Sequence, residues 1–179
     1  GEKGWGVISM SAGPKATLAC WETYRDSLAK SLNREVELGE GVGVCTSFYV
    51  GETMQEAIDT IRPAINAYYE FLGGSRPAGE WTKRGYLDIG EEMTPEDDAM
   101  DWFDFLNKRG IIVVGDAEYV VDRFSEKQES IGLDHLMLMQ QYTGVSYEKI
   151  LASWKRLFEN VVPRFGTQSI AQKREAINA

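Results

Sequence analysis

Apolar and polar positions along this chain fall into blocks that read as short buried strands, each followed by an amphipathic helix. Ile111-Ile112-Val113-Val114 is a continuous β-branched run that stops at Gly115, the pattern of a strand buried on both faces. Asp116 stands where a helix N-cap belongs, and Val120, Val121, Phe124 and Ile131 follow at helical spacing, with Gln128 as the one polar interruption. Gly132 ends that helix as a C′ glycine would. Residues 135–139 predict the next buried strand, with Met137 and Met139 packed in the core, running into the polar Gln140-Gln141-Tyr142-Thr143-Gly144. Ser146 can cap the last helix, whose Ile150, Leu151, Trp154, Leu157, Phe158, Val161 and Val162 form a wide apolar face before Pro163 stops it.

The same grammar runs upstream. Residues 7–10 predict a strand, 16–32 a helix burying Trp21, Tyr24 and Leu28, and 42–50 the longest strand. Thr53-Met54-Gln55-Glu56 is a capping box opening a helix through Ile58, Ile61, Ile65 and Tyr69, which Pro63 should kink or split. Between 73 and 110 the period is lost. Glycine, proline and charge are dense there, and Thr94-Pro95-Glu96-Asp97 starts one short acidic helix carrying Trp102, Phe103, Phe105 and Leu106. A connection this long inside an α/β domain is an active-site lid or a disordered segment, and the aromatics favour the lid by giving it something to fold onto. Strands alternating with helices predict a parallel sheet, open or closed into a barrel.

Composition narrows the function classes. The 179 residues suit one domain, and 43% hydrophobic content can fill its core. A net charge of −9 with no basic stripe argues against nucleic acid or an acidic membrane surface as partner. Cys20 and Cys45 fit neither a zinc spacing nor a disulfide framework, which points to a reducing, cytoplasmic interior. The opening Gly1-Glu2-Lys3-Gly4 reads like the end of a helix, so the chain is expected to begin inside a fold.

Candidate chemistry is sparse. No glycine-rich nucleotide fingerprint is present, and Gly115 reads as a tight strand-to-helix turn. His135, the one histidine, stands at the start of its strand, the end that barrels use for stability rather than catalysis. Cys45 reads as a small strand residue, and the acidic cluster at 91–98 as a solvated helix start, so no metal site is expected. Polar residues at strand C-terminal ends carry more weight, because such ends converge on a barrel mouth: Ser9, Ser11, Ser47, Tyr49, Gln140, Gln141 and Tyr142.

Five segments in register add chemistry. They are Glu2-Lys3-Gly4-Trp5-Gly6, Phe48-Tyr49-Val50-Gly51-Glu52-Thr53 with Glu56-Ala57, Val113-Val114-Gly115-Asp116-Ala117-Glu118, Gly132-Leu133-Asp134, and the run from Ser153-Trp154 to Val162-Pro163. Their order and spacing resemble the bacterial-luciferase-like, flavin-dependent monooxygenases over nearly the whole chain. The resemblance implies an α/β fold, the C-terminal part of a (β/α)8 TIM barrel, about strands 6 to 8 with their helices and an insertion. Such a barrel takes ~250 residues, so a longer parent protein is expected. Residues 1–165 would be barrel, with 73–110 as insertion or lid, and 166–179 a tail.

The resemblance also implies reduced FMN from a separate flavin reductase, O2 as oxidant, a small organic substrate, and a homo- or heterodimer. The pocket candidates are Ser9, Ser11, Cys45, Ser47, Tyr49, Gln140 and Tyr142, with no catalytic residue assigned. Cys45 and Ser47 stand where alkanesulfonate monooxygenases place an arginine and a histidine, so the substrate implied is neutral and apolar. Tyr142 matches the tyrosine of that branch, and Lys108 and Arg109 lie near the arginine of its mobile insertion. The alternatives are a non-catalytic flavin-binding or structural relative with a shortened barrel, and a standalone α/β binding module. Because three barrel strands leave unpaired edges, the isolated chain is not expected to persist as a stable monomer.

Overall fold

A computed structural model of the chain describes residues 1–10, 13–74, 82–131, 135–140 and 142–166. Ser11, Gln141, the Gly132 helix stop and the tail beyond 166 lie outside those residues. Four strands, β1 (Val7–Met10), β2 (Val42–Val50), β3 (Ile112–Gly115) and β4 (Leu136–Met139), form one parallel sheet. Six α-helices accompany them: α1 (Pro14–Leu32), α2 (Met54–Gly74), α3 (Pro95–Ala99), α4 (Trp102–Lys108), α5 (Ala117–Ile131) and α6 (Tyr147–Arg156).

β2 is the hub of the sheet. Val42 to Cys45 pair with β1, Val44 to Ser47 with β4, and Ser47 to Val50 with β3. One residue cannot be bridged twice on the same edge, so these overlaps put β4 opposite both other strands. β1 and β3 therefore follow one another along the remaining edge of β2. The order β1–β2–β4 is that of three neighbouring strands wound in one direction, and β3 extends the β1 edge.

Handedness then sorts the helices. The steps from β1 to β2 and from β3 to β4 cross the sheet in one direction, and the step from β2 to β3 reverses it. Right-handed crossovers place α1 and α5 on one face and α2 on the other. The packing follows this division. Trp21, Tyr24 and Leu28 of α1 cover Val42 and Val44, while Val120, Val121 and Phe124 of α5 cover Phe48, Val50 and Val113. On the opposite face Ile61 and Ile65 of α2 and Phe103, Phe105 and Leu106 of α4 enclose Tyr49, Ile112 and Val114. Burying a side chain of this kind contributes about 1.5–3 kcal/mol, so both faces of β2 and β3 are held by substantial cores.

Several local expectations change. The single acidic helix is two, because Asp101 starts a second one by accepting from the Asp104 amide at 2.8 Å. α2 runs through Pro63 without dividing. Pro163 lies inside a 3-10 turn that follows a π turn at Leu157–Val161, rather than ending the helix outright. β4 is buried on one side only: Leu136 and Leu138 pack beneath the helices, whereas Met137 and Met139 are exposed on the α2 side of the sheet. Leu151 and Phe158 of the last helical run also face outward. Ile8 and Met10 of β1 share the exposed side with Met137 and Met139, Met10 being 70% exposed.

Candidate functional site

Where β1 and β4 end and β3 begins, the α2 side of the sheet opens into a cavity of about 740 Å³. Its floor is strand: Met10, Cys45, Ser47, Ile112 and Met139. Strand alternation explains that set, because Cys45 and Ser47 point to one face while Val44 and Phe48 point to the other. α2 supplies Ala64, Tyr68 and Tyr69, and the 82–86 turn supplies Thr82, Gly85 and Tyr86. Among the described residues no lysine, arginine, histidine or carboxylate lines it.

Tyr142 closes the far side. Its hydroxyl donates to the Phe48 carbonyl at 3.1 Å, which ties the segment after β4 to the middle of β2. Burial pushes its pKa far up, with the nearby Tyr69 adding to the shift, so the phenol remains a proton donor throughout the working pH range. Tyr69 stacks on Trp102 at 5.0 Å and meets Tyr86 edge-on at 5.8 Å, building an aromatic wall.

The other sequence candidates lie elsewhere. Tyr49 is buried beneath the cavity, and its hydroxyl donates to Glu56 at 3.2 Å; burial first, then the Glu56 charge, push its pKa up to about 12. Ser9 is half-buried and its hydroxyl reaches the Gly43 carbonyl at 3.4 Å, away from the cavity lining. Gln140 donates to Ser153 Oγ at 2.6 Å, and its buried Oε1 has no partner among the described residues. Lys108 sits 3.3 Å from Asp97 and 3.8 Å from Glu96. Arg109 lies over the Phe105 ring and pairs with Glu91 at 2.5 Å and Asp97 at 3.1 Å. Cys45, Ser47 and Tyr142 are thus brought together, and the remaining described candidates are structural ties.

Sequence reasoning missed Tyr68, Tyr86, Thr82 and Ile111 as lining residues. Ala64 and Tyr68 are four apart on α2, a spacing that could have marked them as one face; nothing periodic marks Thr82 or Tyr86.

No protein-family model matches the sequence, and no curated protein matches it. Solved structures do. A monooxygenase, RslO1 from Streptomyces bottropensis, superposes with TM-score 0.67 at 14% identity, over 92% of this chain and 43% of its own. The oxygenating constituent of 3,6-diketocamphane monooxygenase from Pseudomonas putida, in complex with FMN, gives TM-score 0.63 at 18% identity, over 91% and 43%. The chain shares the fold of part of these two structures. A coenzyme F420-dependent tetrahydromethanopterin reductase from Methanopyrus kandleri matches with TM-score 0.50 at 17% identity, over 89% of this chain and 45% of its own. Structures that share this fold are thus a monooxygenase in one case and a reductase in another. The chain spans less than half the length of each of these three structures. Among the described residues no helix is long and apolar enough to cross a membrane, and no group of three metal-ligating side chains forms.

Proposed function

We propose that this chain forms the substrate-facing and flavin-facing portion of an FMN-dependent monooxygenase acting on a small, neutral, apolar organic molecule. The carrying observation is the cavity of about 740 Å³ in which Cys45, Ser47 and Tyr142 meet an aromatic wall and, among the described residues, no ionised side chain. That volume lies within the ~300–1,000 Å³ of small-molecule sites.

The lining suits the flat, largely apolar ring of a flavin, which Met139, Cys45, Ser47 and Tyr142 would hold. Among the described residues it offers no cation for the phosphate. When bound, reduced FMN supplies the two electrons with which O2 delivers one oxygen atom to substrate and the other to water. The residues of this chain exclude water, orient the ring and reject charge. Cys45 and Ser47 hold no cation for a sulfonate or carboxylate, so an anionic substrate would lose its hydration without compensation. Residues 73–110 serve as the cover, 1–165 as the working unit, a separate reductase as the source of reduced FMN, and the cytoplasm as the setting, with a dimer as the assembly.

Absorbance titration with oxidised and reduced FMN, followed by substrate-dependent O2 uptake in the protein and in Ser47→Arg, tests the reading. FMN should perturb the spectrum saturably, and neutral substrates should drive O2 uptake that Ser47→Arg suppresses. An unperturbed flavin spectrum, or uptake driven equally by sulfonates, would overturn it.

A further inference from the structure

The α2 side of the sheet gathers much of the chain's sulfur. Three of the six methionines, Met10, Met137 and Met139, and one of the two cysteines, Cys45, stand on that face of β1, β2 and β4. Their register brings three of them onto a single rung. Cys45 is the direct partner of Met10 on one edge of β2 and of Met137 on the other, so one thiol lies between two thioethers. Met139 stands one rung further on, beside Ser47. Cys45, Met10 and Met139 line the same cavity, and Met137 shares the face of Met139 by strand alternation.

The spacing of the row allows its sulfurs to converge. Neighbouring strands lie about 4.8 Å apart, and the unbranched, flexible methionine stem can place its sulfur over an adjacent residue. Met10 and Met137 are exposed, so both side chains can turn towards Cys45 without emptying a core. Cys45 is buried, and its sulfur is approached from the cavity that it lines. Among the described residues no three histidine, cysteine or carboxylate side chains come together, so the nitrogen and oxygen sets that zinc or calcium takes are not built there. Thioether is the ligand that this face has in number.

We propose that the Met10–Cys45–Met137 row binds a soft monovalent cation, copper(I), through the Cys45 thiolate and the two thioethers. Soft thiolate and thioether ligands select copper(I) over harder ions. Charge selects in the same direction. The thiol gives up its proton on binding, and the thiolate then cancels the single positive charge of the ion. A neutral complex suits a cavity whose described lining holds no ionised side chain, whereas a divalent ion would leave a charge there without a partner. The inference stands apart from the flavin reading, but the two meet at Cys45 on the cavity floor. Bound copper(I) should therefore compete with flavin for the cavity.

Anaerobic titration with copper(I), buffered by a competing chromophoric chelator, is the direct probe. It is run in a Cys20→Ser background, because Cys20 is an exposed free thiol. Silver(I) repeats the titration with an ion that keeps its oxidation state. One cation per chain is expected, with a thiolate-to-copper charge-transfer band in the near ultraviolet. Affinity should fall about tenfold or more in Met10→Leu and in Met137→Leu, and the band should disappear in Cys45→Ser. Both thioether variants alter exposed positions, so the fold is retained and the comparison stays readable. Met93→Leu, which alters a methionine packed against the α2–α4 core, should match the parent. Excess zinc should not displace copper(I). Affinity undiminished in Met10→Leu and Met137→Leu would mark a bare thiolate, and one cation per two chains a site shared between copies; either would overturn the proposal. The titration contains no flavin, so its failure leaves the flavin reading standing. A chain that binds copper(I) yet never perturbs a flavin spectrum would overturn that reading alone.

Discussion

Ser153→Ala isolates the contact that fixes the end of the central strand. Ser153, fully buried on α6, accepts from the Val50 amide at 2.8 Å and from Gln140 Nε2 at 2.6 Å. Val50 is itself 0% exposed, so no water can replace the lost acceptor. A buried orphan amide costs about 1–3 kcal/mol, and the stranded Gln140 amide about 1 kcal/mol more, so a loss of ~2–4 kcal/mol is expected. Gln140→Leu should behave differently. It leaves the Val50–Ser153 bond in place and removes an Oε1 that has no partner, so its effect should stay within about 1 kcal/mol. The double variant should show a coupling of about 1 kcal/mol. Urea unfolding followed by tryptophan fluorescence reads this well, because Trp154 lies edge-on to Phe48 at 4.8 Å in the same cluster. Ser153→Ala shifting stability by less than about 0.5 kcal/mol, or Gln140→Leu proving the more damaging change, would refute the assignment of Gln140 as a tie rather than a ligand.

Three further outcomes follow from other contacts. Arg109, then Thr94, hold the Asp97 carboxyl well below the ordinary range, so its stabilisation is complete above its unfolded pKa of about 4 and drains away as pH falls towards the folded value; urea midpoints should drop in that acid window, and Asp97→Asn should flatten the drop. Asp88 accepts from the Lys15 and Ala16 amides at 3.0 and 2.9 Å and caps α1, whose own Gly13 offers no side chain; Asp88→Ala should cost about 0.5–2 kcal/mol and speed amide exchange at both positions, and unchanged exchange would refute the cap. The exposed Ile8, Met10, Met137 and Met139 should make the isolated chain associate reversibly; sedimentation of Met10→Glu should show weaker association, and a parent that stays monomeric at all concentrations would rule this out.

What was legible in the sequence is what depends on neighbours along the chain. Thr53 does cap the Glu56 amide, Asp116 the Tyr119 amide and Ser146 the Lys149 amide, because a cap is a contact three residues away. The α1 stripe of Trp21, Tyr24 and Leu28 is buried as its spacing requires. Failures came where distant segments decide. Met137 and Met139 alternate like core residues, yet they are 48% and 41% exposed. Ile111-Val114 reads as one more strand of the main run, but its pairing partner is the second half of β2, and no local pattern carries that register. Asp88 reaches α1 from 72 positions away in sequence, and a carboxylate in a loop gives no sign of such a partner.

The same contacts indicate which part of the cover over the cavity can move. α4 cannot swing without exposing Phe103, Phe105 and Leu106, which are fully buried, and Arg62 binds it to α2 through Asp101 and Asp104. At about 1.5–3 kcal/mol for each buried side chain, three such residues hold more than a working motion can overcome. Residues 82–93 are attached differently. Lys83 donates to the Asp97, Asp98 and Met100 carbonyls, Asp88 rests on α1, and Glu91 on Arg109, while Tyr86, Leu87 and Met93 are only half-buried. Polar ties exchange with water at little net expense, because each contributes about 0.5–1.5 kcal/mol. The segment that carries Thr82, Gly85 and Tyr86 into the cavity lining is therefore also the one whose release leaves the core intact. This attachment fits the cover and neutral substrate proposed above, because the segment can open and restore its aromatic wall without partial unfolding.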